Sequence, residues 1–125
     1  MALLDISPEI TRHLDLEQTL DNLGGDPDLL KEIMDFYVEM MPQQLDDLAA
    51  AVQSGDVATV GLQAHGMKGG SSNVGAVRVA AMARDLEIWA KGGTLDGAAD
   101  MVQRLQTEFQ DLCGALPRLD WSKLA

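Results

Sequence analysis

Apolar side chains recur every three or four residues along most of the chain. Because an α-helix has 3.6 residues per turn, this spacing places them on one face of each helix. Three stretches show it clearly, and the pattern predicts amphipathic helices that pack around one shared core. The predicted core faces are Val57, Val60, Ala64, Met67, Ser71 and Val74; then Val79, Met82, Leu86 and Trp89; then Ala98, Val102, Leu105, Phe109, Leu112 and Leu116.

Glycine, proline and aspartate mark where these helices begin and end. Gly24-Gly25, Ser54-Gly55 and Gly92-Gly93 are stop signals, whereas Asp26 before Pro27 and Asp56 before Val57 are typical N-caps. Pro42 lies inside the longest segment, where we expect a kink near Glu39 to Met41 or a division into two shorter helices. The predicted helices span about 15–23, 27–53, 56–74, 77–91 and 95–114, with a tail over 115–125.

The short connections between the long segments determine the architecture. Turns of a few residues force neighbouring helices to run antiparallel, and core residues on consecutive helices then face each other in a constant register. Such a register brings Ala64 opposite Trp89 and Met67 opposite Leu86. We therefore predict an all-α fold, an up-and-down antiparallel four-helix bundle with a short leading N-terminal helix, formed by residues 1–125 as a single domain.

Composition and charge exclude several classes of protein. The net charge of -11 would repel nucleic acid and anionic membranes. No apolar run approaches the length of a membrane span, and the N-terminus lacks the pattern of a secretion signal. The single cysteine, Cys113, allows no internal disulfide. We expect a cytoplasmic protein, monomeric because its bundle closes its own core.

His65 lies away from the core face of its helix. At roughly 100° per residue, its side chain is about 130° from the centre of the apolar face and should be exposed to solvent. Four small residues fall within about 40° of it, one or two turns above and below. This small-residue strip, which would let another protein approach the ring closely, consists of Ala58, Gly61, Gly69 and Ser72.

Glycines are unusually frequent in the helix that carries His65. Gly61, Gly66, Gly69 and Gly70 each disfavour helix by roughly 0.8 to 1 kcal/mol relative to alanine, so some benefit must compensate. Two explanations are open: close packing against a neighbouring helix, or clearance for a docking partner. Leu62 has two corresponding interpretations, an apolar part of a docking surface or a contact with the neighbouring helix.

The antiparallel register also offers His65 a partner on the next helix. Glu87 lies at the height of His65, and both are rotated from their core faces toward the same side of the helix pair. A carboxylate accepting from Nδ1–H would leave Nε2 unprotonated and outward, as a nucleophile requires. The alternative is an exposed pair between Arg84 and Glu87.

The remaining titratable residues show no comparable pattern. His13 has no small-residue strip or lysine nearby, and we interpret it as solvated. Cys113 should be a buried or half-buried thiol, and Asp46-Asp47 and the segment 108–111, which begins with Glu108, should be solvated faces. A metal-binding bundle would need Glu-x-x-His sets, and neither histidine has a glutamate three residues before it. We therefore predict no metal site.

The segment Ala64 to Ala76, A-H-G-M-K-G-G-S-S-N-V-G-A, resembles the signature of histidine-containing phosphotransfer (Hpt) domains. The matching positions are His65, Lys68, Gly69, Ser71, Ser72 and Gly75. Nearly the whole chain takes part, since Gly25-Asp26-Pro27 and Leu86-Glu87 also match family positions. Gly66 departs from the pattern by replacing a commonly larger residue, and Gly70 replaces a common serine.

The resemblance implies a phosphoryl carrier of a two-component phosphorelay. Nε2 of His65 would accept a phosphoryl group from the aspartyl phosphate of one response-regulator receiver domain and pass it to another, with Lys68 steadying the transferred charge. A hybrid histidine kinase is a further candidate partner. The resemblance implies no cofactor of its own, because Mg²⁺ would belong to the receiver, and no kinase activity, since no ATP-binding glycine motif occurs. The alternative is an interaction module of the same shape that binds a receiver or kinase without accepting phosphate.

Overall fold

Six α-helices follow one another along the chain in the computed structural model, which describes residues 8–124. They are α1 (Pro8–Thr11), α2 (Leu16–Asn22), α3 (Pro27–Ser54), α4 (Val57–Asn73), α5 (Val77–Lys91) and α6 (Ala98–Ala115), and two short 3₁₀ turns follow at Leu116–Arg118 and Trp121–Leu124. No strand occurs among these described residues.

The four long helices form a closed ring. α4 packs against α3 and α5, and α6 completes the ring by packing against α5 and α3. Their apolar faces meet in a core that includes Leu30, Met41, Val60, Leu86 and Leu105. The predicted all-α four-helix bundle with a short leading helix is confirmed.

Aspartates begin three of the helices as N-caps. The side chain of Asp26 accepts hydrogen bonds from the amides of Asp28 and Leu29, with Pro27 in the first turn. Asp56 accepts from the amide of Thr59 at the start of α4. Gly55 ends α3 with a φ of 74°, a left-handed conformation that glycine adopts without strain. The predicted stop at Gly55 and the predicted N-cap at Asp56 are therefore both present.

Two features differ from the sequence prediction, the start of α6 and the presence of α1, and one alternative left open at Pro42 is excluded. α3 runs without division through Pro42, so the alternative of two shorter helices is wrong; buried Met41 and Leu45 on either side anchor both halves in the same core. α6 begins at Ala98 and not at about 95, because left-handed Gly97 directly precedes its first turn. The helix α1 had no counterpart in the prediction.

The leading segment is attached to the turn between α4 and α5. The amide of Asp15 donates to the carbonyl of Gly75, and Gly75 has a φ of 75°. A Cβ added at Gly75 would lie 2.2 Å from Oγ1 of Thr19, so no larger residue fits this turn without displacing α2. The turn therefore needs a glycine for both its conformation and its space.

Candidate functional site

His65 projects outward from the middle of α4. Its neighbours Ala64 and Met67 are buried in the core, which fixes the rotation of the helix about its axis. The imidazole consequently faces solvent, with 66% of the side chain exposed. The exposure predicted from the periodicity is confirmed.

Glu87 on α5 holds one nitrogen of this ring. Nδ1 of His65 lies 2.6 Å from Oε2 of Glu87, whose side chain is only 4% exposed. The predicted contact is therefore present. Glu87 takes part in no exposed pair with Arg84 of the kind considered above, because its carboxylate is buried and oriented toward α4.

The protonation state of Glu87 fixes the direction of this hydrogen bond. A hydrogen bond from Lys68 is the largest influence and, with the smaller effects of His65 and Lys91, it outweighs burial and lowers the pKa of Glu87 to about 2. Glu87 is therefore a carboxylate at neutral pH and can only accept. Nδ1 of His65 must donate the proton, and in the neutral ring Nε2 then carries the outward lone pair.

Two lysines flank the same carboxylate. Nζ of Lys68 donates to Oε1 of Glu87 at 2.6 Å, from a half-buried position on α4. Nζ of Lys91, one turn after Glu87 on α5, lies 3.5 Å from Oε2. These lysines place positive charge beside His65 in a chain of strongly negative net charge.

A shallow groove of about 350 Å³ runs beside His65 between α4 and α5. Leu62 lines this groove, and 75% of its surface is exposed, so most of its side chain is available to a partner. Ala58 is exposed as well, and Gly61 is half-buried. The groove is lined by Val57, Ala58, Gly61, Leu62, His65, Glu87, Ala90 and Lys91.

The glycines of α4 are not explained by close helix packing. A Cβ added at Gly66, Gly69 or Gly70 would meet no atom within 4 Å. At Gly61 it would lie 3.5 Å from Cβ of Ala90, an ordinary van der Waals contact. Ser72, at the other end of the small-residue strip, is exposed. No bulky side chain therefore stands beside His65 on this strip, which agrees with the interpretation that the glycines leave room for a docking partner.

A second histidine and its partner were wrongly predicted to be solvated. His13 is buried, and its Nδ1 lies 2.6 Å from Oε2 of Glu108, itself 6% exposed. Nε of Arg78 contacts the other oxygen of Glu108 at 3.0 Å. Ile10 in α1 and Leu14 after it are also buried, so the leading segment packs against the bundle on both sides of His13. The cluster joins the leading segment to α5 and α6 and is separate from His65.

A buried hydrogen bond accounts for the one polar residue on the core face of α4. Ser71 is fully buried, and its Oγ lies 2.8 Å from the hydroxyl of Tyr37 on α3. Burial raises the pKa of Tyr37, which keeps its hydroxyl protonated. Tyr37 was not predicted, although a serine within an apolar face indicates a hydrogen-bonding partner across the core.

The thiol of Cys113 agrees with its prediction. Cys113 is half-buried, and burial raises the pKa of its thiol. Within residues 8–124, no group of three or more His, Cys, Asp or Glu side chains is arranged to hold a metal ion. Over the same residues, no helix combines the length and apolarity needed to cross a membrane.

Comparison with known proteins places this site within a family. A sequence model described as the Hpt domain matches residues 32–115, which include His65, Lys68, Glu87 and Lys91. The crystal structure of histidine-containing phosphotransfer protein B from Pseudomonas aeruginosa superposes with a TM-score of 0.69 at 32% sequence identity. The match covers 85% of this chain and 93% of that one.

Two curated proteins are also similar. Phosphorelay intermediate protein rdeA of Dictyostelium discoideum is 24% identical over 118 residues, which cover 93% of this chain and 46% of the relative. Histidine-containing phosphotransfer protein 2 of Arabidopsis thaliana is 26% identical over 91 residues, which cover 70% of this chain and 58% of the relative. The chain thus spans about half the length of these relatives.

Proposed function

Because this chain belongs to the family of Hpt domains, we propose that it is a histidine phosphotransfer protein of a two-component phosphorelay, with His65 as the phosphoryl acceptor. One observation carries the assignment: an exposed imidazole has its Nδ1 bound to a buried carboxylate at 2.6 Å. The names of the relatives, a phosphorelay intermediate and a phosphotransfer protein, agree with it.

The chemical step begins at Nε2 of His65. Its lone pair attacks the phosphorus of an aspartyl phosphate, a P–N bond forms, and the P–O bond breaks with its electrons going to the aspartate carboxylate. The ring then carries positive charge with Nδ1 still protonated. Glu87 stabilises that charge through the same hydrogen bond, so the phosphorylated ring needs no new partner at Nδ1. Transfer to a second receiver is the reverse reaction with another aspartate.

Lys68 supplies charge to the group in transit. Its ammonium is half-buried on the helix of His65, and rotation about its flexible stem would take it from Glu87 to a phosphoryl oxygen on Nε2. Mg²⁺ for the reaction would come from the receiver domain. The protein would hold no metal or cofactor of its own and would not phosphorylate itself from ATP, acting as a carrier and not as a kinase.

The partners that fit this site are receiver domains and, as a second class, a hybrid histidine kinase. Ala58, Gly61, Leu62 and Ser72 would form the docking surface, with exposed Leu62 as its apolar contact. The net charge of -11 disfavours nucleic acid and anionic membranes. We further propose a monomer acting in the cytoplasm, where receivers and kinase domains meet.

Transfer of radiolabelled phosphoryl groups tests the function directly. Incubation with a phosphorylated receiver domain should label the wild type and not His65→Gln. His13→Gln is the matched control, because the chain contains two histidines, and it should be labelled if its circular dichroism shows a folded protein. Binding of the receiver without labelling of the wild type would instead identify the alternative, an interaction module that accepts no phosphate.

A further inference from the structure

The carboxylate of Glu87 has more cations around it than one hydrogen bond to His65 requires. Lys68 binds Oε1 at 2.6 Å, while His65 and Lys91 share Oε2 at 2.6 and 3.5 Å. Lys68 and His65 approach from α4, and Lys91 approaches from α5. The remaining lining of the adjacent groove, formed by Val57, Ala58, Gly61, Leu62 and Ala90, is uncharged.

The ammonium of Lys68 has two competing binding partners, Glu87 and the phosphoryl group. In the unphosphorylated protein it binds Glu87, whereas the proposed reaction requires it on a phosphoryl oxygen. When Lys68 leaves, Oε1 of Glu87 loses its hydrogen-bond donor while the carboxylate remains buried, and a buried carboxylate oxygen without a donor is costly. The carboxylate would then tend to turn toward water and release Nδ1 of His65. A second cation that stays with Glu87 would prevent this.

We propose that Lys91 is a positioning residue, which holds the Glu87 carboxylate against Nδ1 of His65 while Lys68 is engaged with the phosphoryl group. This inference rests on the proposed function. Lys91 suits the role because it belongs to the same helix as Glu87, at the i, i+4 spacing favoured by a glutamate followed by a lysine. It approaches the oxygen that accepts from the ring, and its side chain is 71% exposed, so it can approach closer when Lys68 departs.

The exchange of the His65 Nδ1 proton with water tests this role without any phosphorylation. Four proteins are compared by NMR: wild type, Lys91→Gln, Lys68→Gln and the double variant. Loss of Lys68 mimics its departure. With Lys68 present, Lys91→Gln should change the exchange rate less than about twofold; in the Lys68→Gln background it should accelerate exchange about two- to fivefold, the contribution of an exposed ion pair.

Phosphorylation by phosphoramidate, a small donor that needs no docking surface, tests the consequence for the reaction. Lys91→Gln should slow phosphorylation of His65 about two- to fivefold, and Lys91→Arg should restore most of the rate. Lys31→Gln is the control, because Lys31 also forms an i, i+4 ion pair, with exposed Asp35 at 2.8 Å on α3, away from His65. It should change neither the rate nor the proton exchange.

The outcomes separate this inference from the proposed function. If Lys91→Gln has the same effect on proton exchange whether Lys68 is present or absent, or has none in either background, the inference is wrong. Failure of Lys91→Arg to restore the phosphorylation rate would also overturn it. If wild-type His65 accepts no phosphoryl group from either phosphoramidate or a receiver, the proposed function fails, and the role of Lys91 in transfer fails with it.

Discussion

Nδ1 of His65 and Oε2 of Glu87 lie 2.6 Å apart across the interface of α4 and α5. The imidazole is mostly exposed while the carboxylate is almost fully buried. The ring is thus oriented by a group that solvent hardly reaches, and the bundle core determines where that group lies. The fold consequently leaves Nε2, the nitrogen that we propose to react, facing outward before any partner binds.

Replacing Glu87 should distinguish its role in orienting the His65 ring from the effect of its negative charge. Glu87→Ala removes the acceptor for Nδ1–H, and we expect phosphorylation of His65 to slow about tenfold or more, as when a carboxylate that orients a metal-bound histidine is lost. Glu87→Gln keeps an acceptor oxygen and should lose less. Phosphoramidate labelling rates measure both, with Glu39→Ala on the exposed side of α3 as control. Equal rates for Glu87→Ala and the control would contradict the orienting role.

The titration of Glu87 should reveal its cationic surroundings. The pKa of Glu87 falls from 4.5 to about 2 in the folded protein, so the carboxylate stabilises the fold above its ordinary pKa. That contribution is lost as the pH falls through the interval between the two values. A ¹³C NMR titration of the side-chain carboxyl measures it. Lys68→Met should raise this pKa, because the Lys68 hydrogen bond is its largest cause; an unchanged midpoint would refute that assignment.

The buried cluster at the leading segment should contribute to stability. Glu108→Ala leaves His13 buried without a partner and frees Arg78, and we expect the free energy of unfolding to fall by about 3 kcal/mol. Asp111→Ala, exposed on the same helix, should change it by less than about 0.5 kcal/mol. Urea denaturation of the two variants decides between a structural cluster and a dispensable one. Similar values for both would show that the cluster adds little.

The open glycines of α4 should be replaceable at a gain in stability. A methyl group at Gly69 or Gly70 meets no atom within 4 Å, so alanine should raise the free energy of unfolding by about 0.4 to 1 kcal/mol at each position. Their effects on transfer from a phosphorylated receiver should differ. Gly69→Ala, on the strip beside His65, should slow it about fivefold or more, since a methyl forced into a close contact costs about 1 kcal/mol. Gly70 is rotated away from the strip, and Gly70→Ala should leave the rate of transfer unchanged.

If both glycine variants slowed transfer equally, clearance on the strip would not be the reason for Gly69. Loss of stability in Gly70→Ala would show instead that α4 requires its glycines for folding. Phosphoramidate labelling serves as the control, because this donor is too small to be obstructed by a methyl group on the strip.

Periodicity was sufficient to predict the bundle and the exposure of His65. Val60, Ala64 and Met67 determine how α4 is rotated, and the antiparallel register then places Glu87 beside His65 without any knowledge of side-chain contacts. Local capping chemistry at Asp26 and Asp56 determined the helix starts. These features depend on residues close together in sequence or on a regular repeat, and one sequence contains both kinds of information.

The contacts that were not predicted at the buried cluster and in the core join distant segments of the chain. His13 meets Glu108 because the leading segment folds back over α6, and no repeat or local motif encodes that path. The hydrogen bond between Tyr37 and Ser71 depends on how α3 is aligned with α4. That alignment was not predicted, because Pro42 suggested a break in the helix. The pairing of Lys91 with Glu87 was also not predicted, although their i, i+4 spacing is visible in the sequence.

The site of phosphorylation on the ring tests the account most directly. A long-range ¹H–¹⁵N NMR spectrum of the protein, labelled with ¹⁵N in histidine and phosphorylated by a receiver domain, identifies which nitrogen bonds to phosphorus and which keeps its proton. We predict phosphorus on Nε2 of His65 with the proton retained on Nδ1 beside Glu87. Phosphorus on Nδ1, or an unmodified His65 in a protein that carries phosphate elsewhere, would contradict the account.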